Sequence, residues 1–141
     1  MITSKATTRW QGGLSDGKGL TSLGSGTAEV PVDWRQRSTG EGTSSTPEEL
    51  LAAAHSACFA MALSNALEQN GTPPLEMRTD ARVQFVPGEG ITWSMLTVHA
   101  HVPGLDPIEF GRIAEDAKDN CPMSKALGAI DVSLESATLQ Q

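Results

Sequence analysis

Six side chains in this sequence carry the chemistry worth weighing: two cysteines, two arginines and two glutamates. Cys58 sits inside the run LLAAAHSACFAMAL, and Cys121 stands directly before Pro122. A thiol becomes a nucleophile only as its thiolate, and an unperturbed cysteine titrates near ~8.5. Each cysteine therefore needs a local reason to ionise. Cys121, at the mouth of a helix, would gain from free N–H groups and the helix dipole. Cys58, in the middle of a helix, gains nothing from its own dipole and would need an outside cation. Arg35 and Arg37 lie upstream, beside the carboxylates Glu48 and Glu49. Glu48 could hold an arginine through a charge-assisted pair. A solvated surface pair is the plain alternative. Both cysteines also have a plain alternative: Cys58 as a small core residue and Cys121 as an inert cap.

The elements that would position these groups can be read from the pattern. Thr46-Pro47-Glu48-Glu49 is a helix start, with Thr46 as N-cap, Pro47 at the first helical position and Glu49 closing a capping box. The helix runs to a stop at Gly71, with Pro73 and Pro74 beyond. From Leu50 to Leu63 only His55 and Ser56 are clearly polar, so the helix is expected to be buried on most sides. Residues 2–34 read as β-structure broken by Gly-Lys-Gly and Gly-Ser-Gly. Residues 40–45 read as a loop. Residues 75–87 and 91–102 read as a β-hairpin, by alternation. Asp106-Pro107 opens a second helix with Ile108, Ile113, Ala114 and Ala117 on one stripe. Asn120-Cys121-Pro122 breaks and restarts it, and residues 131–139 form a last strand. The class is α+β, in one domain over residues 1–141.

Bulk properties narrow the field. A chain of 141 residues with 38% hydrophobic and 19% charged residues is globular. A net charge of −7 without a basic cluster argues against nucleic acid and anionic lipid as partners. No unbroken run approaches a membrane span, which excludes a spanning segment on that criterion. The N-terminus lacks a signal-like apolar stretch, so a cytoplasmic, reducing setting is expected, where a cysteine pair is more often catalytic or inert than a permanent staple.

Geometry adds one inference. About 15 Å of helix rise separates Glu48 from Cys58, so they cannot meet on one copy of the helix. Two copies packed antiparallel about a two-fold axis, crossing near Ala52-Ala53-Ala54, would bring them together. A site shared between subunits is therefore expected.

The stretch Thr46-Pro47-Glu48-Glu49-Leu50-Leu51-Ala52-Ala53-Ala54-His55-Ser56-Ala57-Cys58-Phe59, then Met61-Ala62-Leu63, resembles the osmotically inducible protein C and organic hydroperoxide resistance family. Asn120-Cys121-Pro122-Met123-Ser124 looks like that family's second cysteine motif, and His55-Ser56-Ala57-Cys58 looks more like its OsmC branch. The resemblance implies an intertwined homodimer whose sheets wrap two long central helices. It implies Cys58 as the peroxidatic and Cys121 as the resolving cysteine, in place of the local preference for Cys121. It implies an arginine and a glutamate from the partner chain acting on Cys58. The glutamate maps onto Glu48; Arg37 is chosen for the arginine, with Arg35 as the alternative. The activity implied is reduction of organic hydroperoxides in the oxidative stress response. Recycling is by an external thiol, with a dithiol such as a lipoyl group as one candidate, and no metal, flavin or haem cofactor is required.

Two rivals come from other classes. A cysteine hydrolase would pair Cys58 with His55 and dispense with Cys121. A non-catalytic dimeric module binding a small hydrophobic ligand would dispense with both cysteines. His99 and His101 share a strand face but do not make a structural metal site. Met61, Met77, Met95 and Met123 are expected in the core. Trp10, Trp34 and Trp93 are expected in the core or at an interface, or lining a pocket.

Overall fold

The computed structural model describes residues 1–140. Strands β1 (Ala6–Gln11), β2 (Lys18–Leu23) and β3 (Glu29–Val32) form an antiparallel meander. A short helix α1 (Trp34–Thr39) follows, then the long helix α2 (Pro47–Gln69). Strands β4 (Glu76–Val86) and β5 (Gly90–His101) form a hairpin, helices α3 (Pro107–Asn120) and α4 (Pro122–Ala126) cross over, and β6 (Asp131–Leu139) returns parallel to β5. The α+β class holds. Residues 34–39 are the departure from the expected element order: Asp33 caps a helix where the expected β-structure ran on to residue 34.

The caps form for the reasons the residues suggest. Thr46 Oγ1 accepts the Glu49 N–H at 3.0 Å, and Asp106 accepts the N–H groups of Ile108 and Glu109. The capping box is half formed, because among the described residues the Glu49 carboxylate makes no bond back to Thr46. Gly71 takes a positive φ of 80° that lets Thr72 N–H reach the Leu67 carbonyl and close α2. Pro122 drives Cys121 into extended backbone, which ends α3 and starts α4 at one residue.

The core lies between α2, α3 and the β4–β5–β6 sheet. Phe59, Leu63 and Leu67 on α2 meet Leu96, Val98 and Ala100 on β5, and Phe110, Ala114 and Ala117 on α3. Each large side chain buried there contributes about 1.5–3 kcal/mol. A Thr79 hydroxyl on β4 donates to the Ser56 carbonyl at 2.9 Å and pins the sheet to the middle of α2.

Several packing expectations need correction. One chain buries only a stripe of α2, at Glu48, His55, Phe59, Leu63 and Leu67. Ala53, Ala57 and Met61 run along an exposed stripe, and Met61 is 73% exposed rather than in the core, because it points away from the sheet that covers the other face. Met77 and Met123 do pack against the core. Ile108 is also exposed; Phe110, not Ile108, anchors the start of the α3 stripe. By length and hydropathy α2 would suffice to cross a membrane, against the reading from unbroken apolar runs. Its buried stripe packs on β4 and α3, and it carries the buried Glu48 and His55. The β1–β2–β3 sheet packs little against the rest of the chain and leaves Trp10, Leu14, Leu20 and Leu23 exposed.

Candidate functional site

Cys58 and Cys121 meet. Their Sγ atoms are 3.1 Å apart and both thiols are free. Helix α2 presents Cys58 one position before the buried Phe59, half-buried and facing α3 and α4. The extended residue between α3 and α4 presents Cys121, which is fully buried. Burial pushes the Cys58 thiol above its ordinary value, the contact with Cys121 pushes it further, and the Met123 backbone N–H partly offsets both. No basic side chain acts on it among the described residues. Within one chain Cys58 therefore lies against Cys121, with its pKa pushed up and no cation beside it among the described residues.

Arg37 and Glu48 form the second cluster. Arg37 Nη2 donates to Glu48 Oε1 at 2.7 Å, and its Nε lies 3.1 and 3.2 Å from the two carboxylate oxygens. The Glu48 side chain is only 6% exposed, against 32% for Arg37, so the pair is anchored on its acidic side. The Arg37 guanidinium lies 4.4 Å from the centre of the Phe85 ring, and Phe85 meets Trp34 edge-on. Phe85 sits where the β4–β5 register shifts, and such irregularities re-aim side chains. The base of the cluster is α1. Asp33 Oδ1 accepts the Gln36 N–H at 2.8 Å and Oδ2 accepts the Ser44 hydroxyl, which holds the Asp33 carboxyl below its ordinary value.

Arg35 does not join this cluster. It pairs with Glu41 at 3.2 Å, and both side chains are about 70% exposed. Such a pair contributes little, about 0–1 kcal/mol. Residues two apart on a helix point about 200° from one another, so α1 can offer Glu48 only one of the two arginines. Because Glu48 lies near the N-terminus of α2, the Arg37–Glu48 pair is about 15 Å of helix rise from the Cys58 of the same chain.

A cavity of about 320 Å³ opens beside Arg37. Trp10, Leu14, Trp34, Pro47 and Leu50 give it apolar walls, so two of the three tryptophans line a pocket.

His55 is fully buried. Its Nδ1 lies 2.6 Å from the Ser94 hydroxyl and its Nε2 2.9 Å from the Ser124 hydroxyl. A neutral ring satisfies both contacts, one nitrogen donating and the other accepting. With both nitrogens engaged, His55 has none to offer Cys58, and the hydrolase reading loses its base. Burial holds the His55 pKa below its ordinary 6.5. The unfolded chain therefore takes up a proton first as pH falls. Stability from this residue is complete above 6.5 and declines below it, by at most about 1.4 kcal/mol per pH unit. Chemical unfolding across acidic pH should show that slope, and His55→Gln should remove its share.

Sequence reasoning missed Phe85, Ser94 and Ser124. Each meets its partner from a different element, and no local pattern marks such a contact. It also missed α1, although Asp33 and Gly40, seven residues apart around Trp34–Thr39, were available as cap signals.

Comparison with known proteins identifies the family. The family model described as OsmC-like protein matches residues 40–135, which include both cysteines and Glu48. The chain is 38% identical to Peroxiredoxin OsmC of Escherichia coli (strain K12), over 96% of this chain and 99% of that protein. It is 36% identical to an organic hydroperoxide resistance protein of Xanthomonas axonopodis pv. citri, over 70% of this chain and 69% of that one. Its fold matches the crystal structure of an organic hydroperoxide resistance protein OsmC from Legionella pneumophila with a TM-score of 0.73 and 26% identity, covering 98% of each chain. With both cysteines inside the matched region and a close relative aligned along nearly its whole length, the chain belongs to the OsmC-like family.

Proposed function

We propose that this protein is a cysteine-based peroxidase that reduces organic hydroperoxides to alcohols. The observation that carries the reading is the 3.1 Å approach of Cys58 and Cys121 from different elements. The Cys58 thiolate attacks the outer oxygen of R–O–O–H, the O–O bond breaks, and the alcohol leaves after taking up a proton. Cys58 becomes a sulfenic acid. The Cys121 sulfur then attacks Cys58, water leaves, and a Cys58–Cys121 disulfide forms. An external thiol, of which a lipoyl dithiol is one candidate, reduces it by exchange. The disulfide prevents the sulfenic acid from moving on to irreversible oxidation.

The active unit in this reading is a homodimer of the single-domain chain, in which the sheets of both chains wrap the two α2 helices. Three features of one chain support it. The Ala53–Ala57–Met61 stripe is uncovered and small enough at its centre for close helix approach. The β1–β2–β3 sheet exposes Trp10, Leu14, Leu20 and Leu23 with little beneath them. The Cys58 pKa is pushed up and no basic side chain of its own chain acts on it among the described residues, while Arg37 is held on Glu48, which lies far along α2 from Cys58. An antiparallel crossing near Ala53 supplies the missing cation from the partner. Arg37 then favours the thiolate and the charge growing on the peroxide oxygens, and Glu48 orients it.

The apolar cavity beside Arg37 fits an alkyl or aryl tail with its peroxide end at the guanidinium. The expected result is turnover of an organic hydroperoxide with a dithiol reductant at a kcat/KM at least about tenfold above that for hydrogen peroxide, since each apolar carbon buried contributes about 0.8 kcal/mol. Equal efficiency on the two would contradict the role given to the cavity.

A further inference from the structure

Two side-chain rungs join helix α2 to α4, beside the Met123 backbone N–H that points at the Cys58 sulfur. Cys58 and His55 stand one turn apart on α2, and Cys121 and Ser124 stand one turn apart across the start of α4. The sulfurs make one rung at 3.1 Å, and His55 Nε2 with Ser124 Oγ makes the other at 2.9 Å. The Ser94 hydroxyl on β5, 2.6 Å from His55 Nδ1, fixes the ring from behind. His55 and Ser94 are fully buried, and Ser124 is 9% exposed.

We propose that His55, braced by Ser94, is a positioning residue for disulfide closure, acting through Ser124 to present Cys121 to Cys58. The proposal deepens the peroxidase reading at the same two sulfurs and rests on it.

The need for such a device follows from α4 itself. It is five residues long and has no side-chain bond at its N-cap. A helix that short does not hold its own place. What fixes it is the packing of Cys121 and Met123 against the core and the Ser124 bond to His55. The sulfur rung cannot serve as a permanent tie, because it changes at each step. It is a pair of thiols, then a thiol facing a sulfenic acid, then a covalent bond. In closure the Cys121 sulfur attacks the Cys58 sulfur. The S–O bond breaks as the S–S bond forms, and the hydroxyl leaves with the Cys121 proton as water. The hydroperoxide has already supplied the oxidising equivalent. None of these events touches an atom of the His55–Ser124 rung, which keeps α4 in register throughout. Closure within one chain is governed by how often the two sulfurs are presented to one another. Removing one buried hydrogen bond from that presentation is expected to slow closure about fivefold or more.

Ser124→Ala tests this in two independent ways. Equilibration with a buffer of reduced and oxidised glutathione, without hydroperoxide, measures the effective concentration of one thiol for the other. It should fall about fivefold or more in Ser124→Ala, and in His55→Phe, while Ser124→Thr, which keeps the hydroxyl, should stay near the parent. Single-turnover reaction with tert-butyl hydroperoxide, followed by quenching and mass spectrometry, separates the two steps. Formation of the Cys58 sulfenic acid should stay within about twofold of the parent, closure should slow, and the Cys58 sulfinic acid should accumulate. An unchanged effective concentration in Ser124→Ala would overturn the proposal. So would an equal slowing of both steps that Ser124→Thr does not rescue, the mark of a merely structural role. If the parent does not react with hydroperoxide at all, the peroxidase reading fails on its own, and the glutathione measurement still decides the role of His55.

Discussion

Cys58→Ser should lower hydroperoxide turnover by roughly a thousandfold or more, to the rate of the uncatalysed reaction, because a hydroxyl in its place cannot ionise to attack the peroxide. Cys121→Ser should behave differently. The first attack needs only Cys58, so one equivalent of alcohol should appear at close to the parent rate. Without its neighbour at 3.1 Å, the sulfenic acid then persists and oxidises further, and turnover should stop after a few cycles unless the external thiol reaches Cys58 directly. Steady-state and single-turnover assays side by side separate the two variants. A hydrolase would tolerate the loss of Cys121, and a ligand-binding module would tolerate the loss of both.

The second large effect concerns where the cation comes from. Arg37→Ala should cost activity heavily, because Cys58 is already pushed towards the thiol by burial. It should also destabilise the fold by about 1.5–3 kcal/mol, since Glu48 is left buried without its charged donor. The informative experiment mixes two inactive proteins. In the homodimer proposed above, co-expressed Cys58→Ser and Arg37→Ala chains pair so that one of the two sites of a mixed dimer combines an intact Cys58 from one chain with an intact Arg37 from the other. If the site is shared, random pairing should recover about a quarter of the parent activity. If each chain carried its own complete site, the mixture would remain as inactive as its components.

Much of the molecule was legible from residue order because its signals are local. Thr46, Pro47 and Gly71 mark the ends of α2 without reference to anything distant, and Pro122 forces the break at Cys121. What escaped depends on neighbours far along the chain. The choice between Arg35 and Arg37 turns on α1, whose six residues show no apolar stripe for periodicity to detect. Once those residues are helical, only Arg37 faces Glu48. Met61 lies on a helix that is apolar nearly all round and Ile108 on the expected α3 stripe, yet both are exposed, because such patterns do not say what will cover a face. His55 is fully buried, and its two serine partners come from elements distant in sequence, β5 and α4. The separation of Glu48 from Cys58 within one chain is the one long-range feature that simple helix geometry anticipates, because the rise of α2 sets them about 15 Å apart.

The most direct measurement is the mass of the fully reduced protein after exposure to one equivalent of an organic hydroperoxide, followed by digestion under conditions that block free thiols. The expected result is a loss of two hydrogens per chain, release of one equivalent of alcohol, and a cross-linked peptide joining Cys58 to Cys121 within one chain. Unreacted hydroperoxide with both thiols still free, or a disulfide joining two chains, would contradict it.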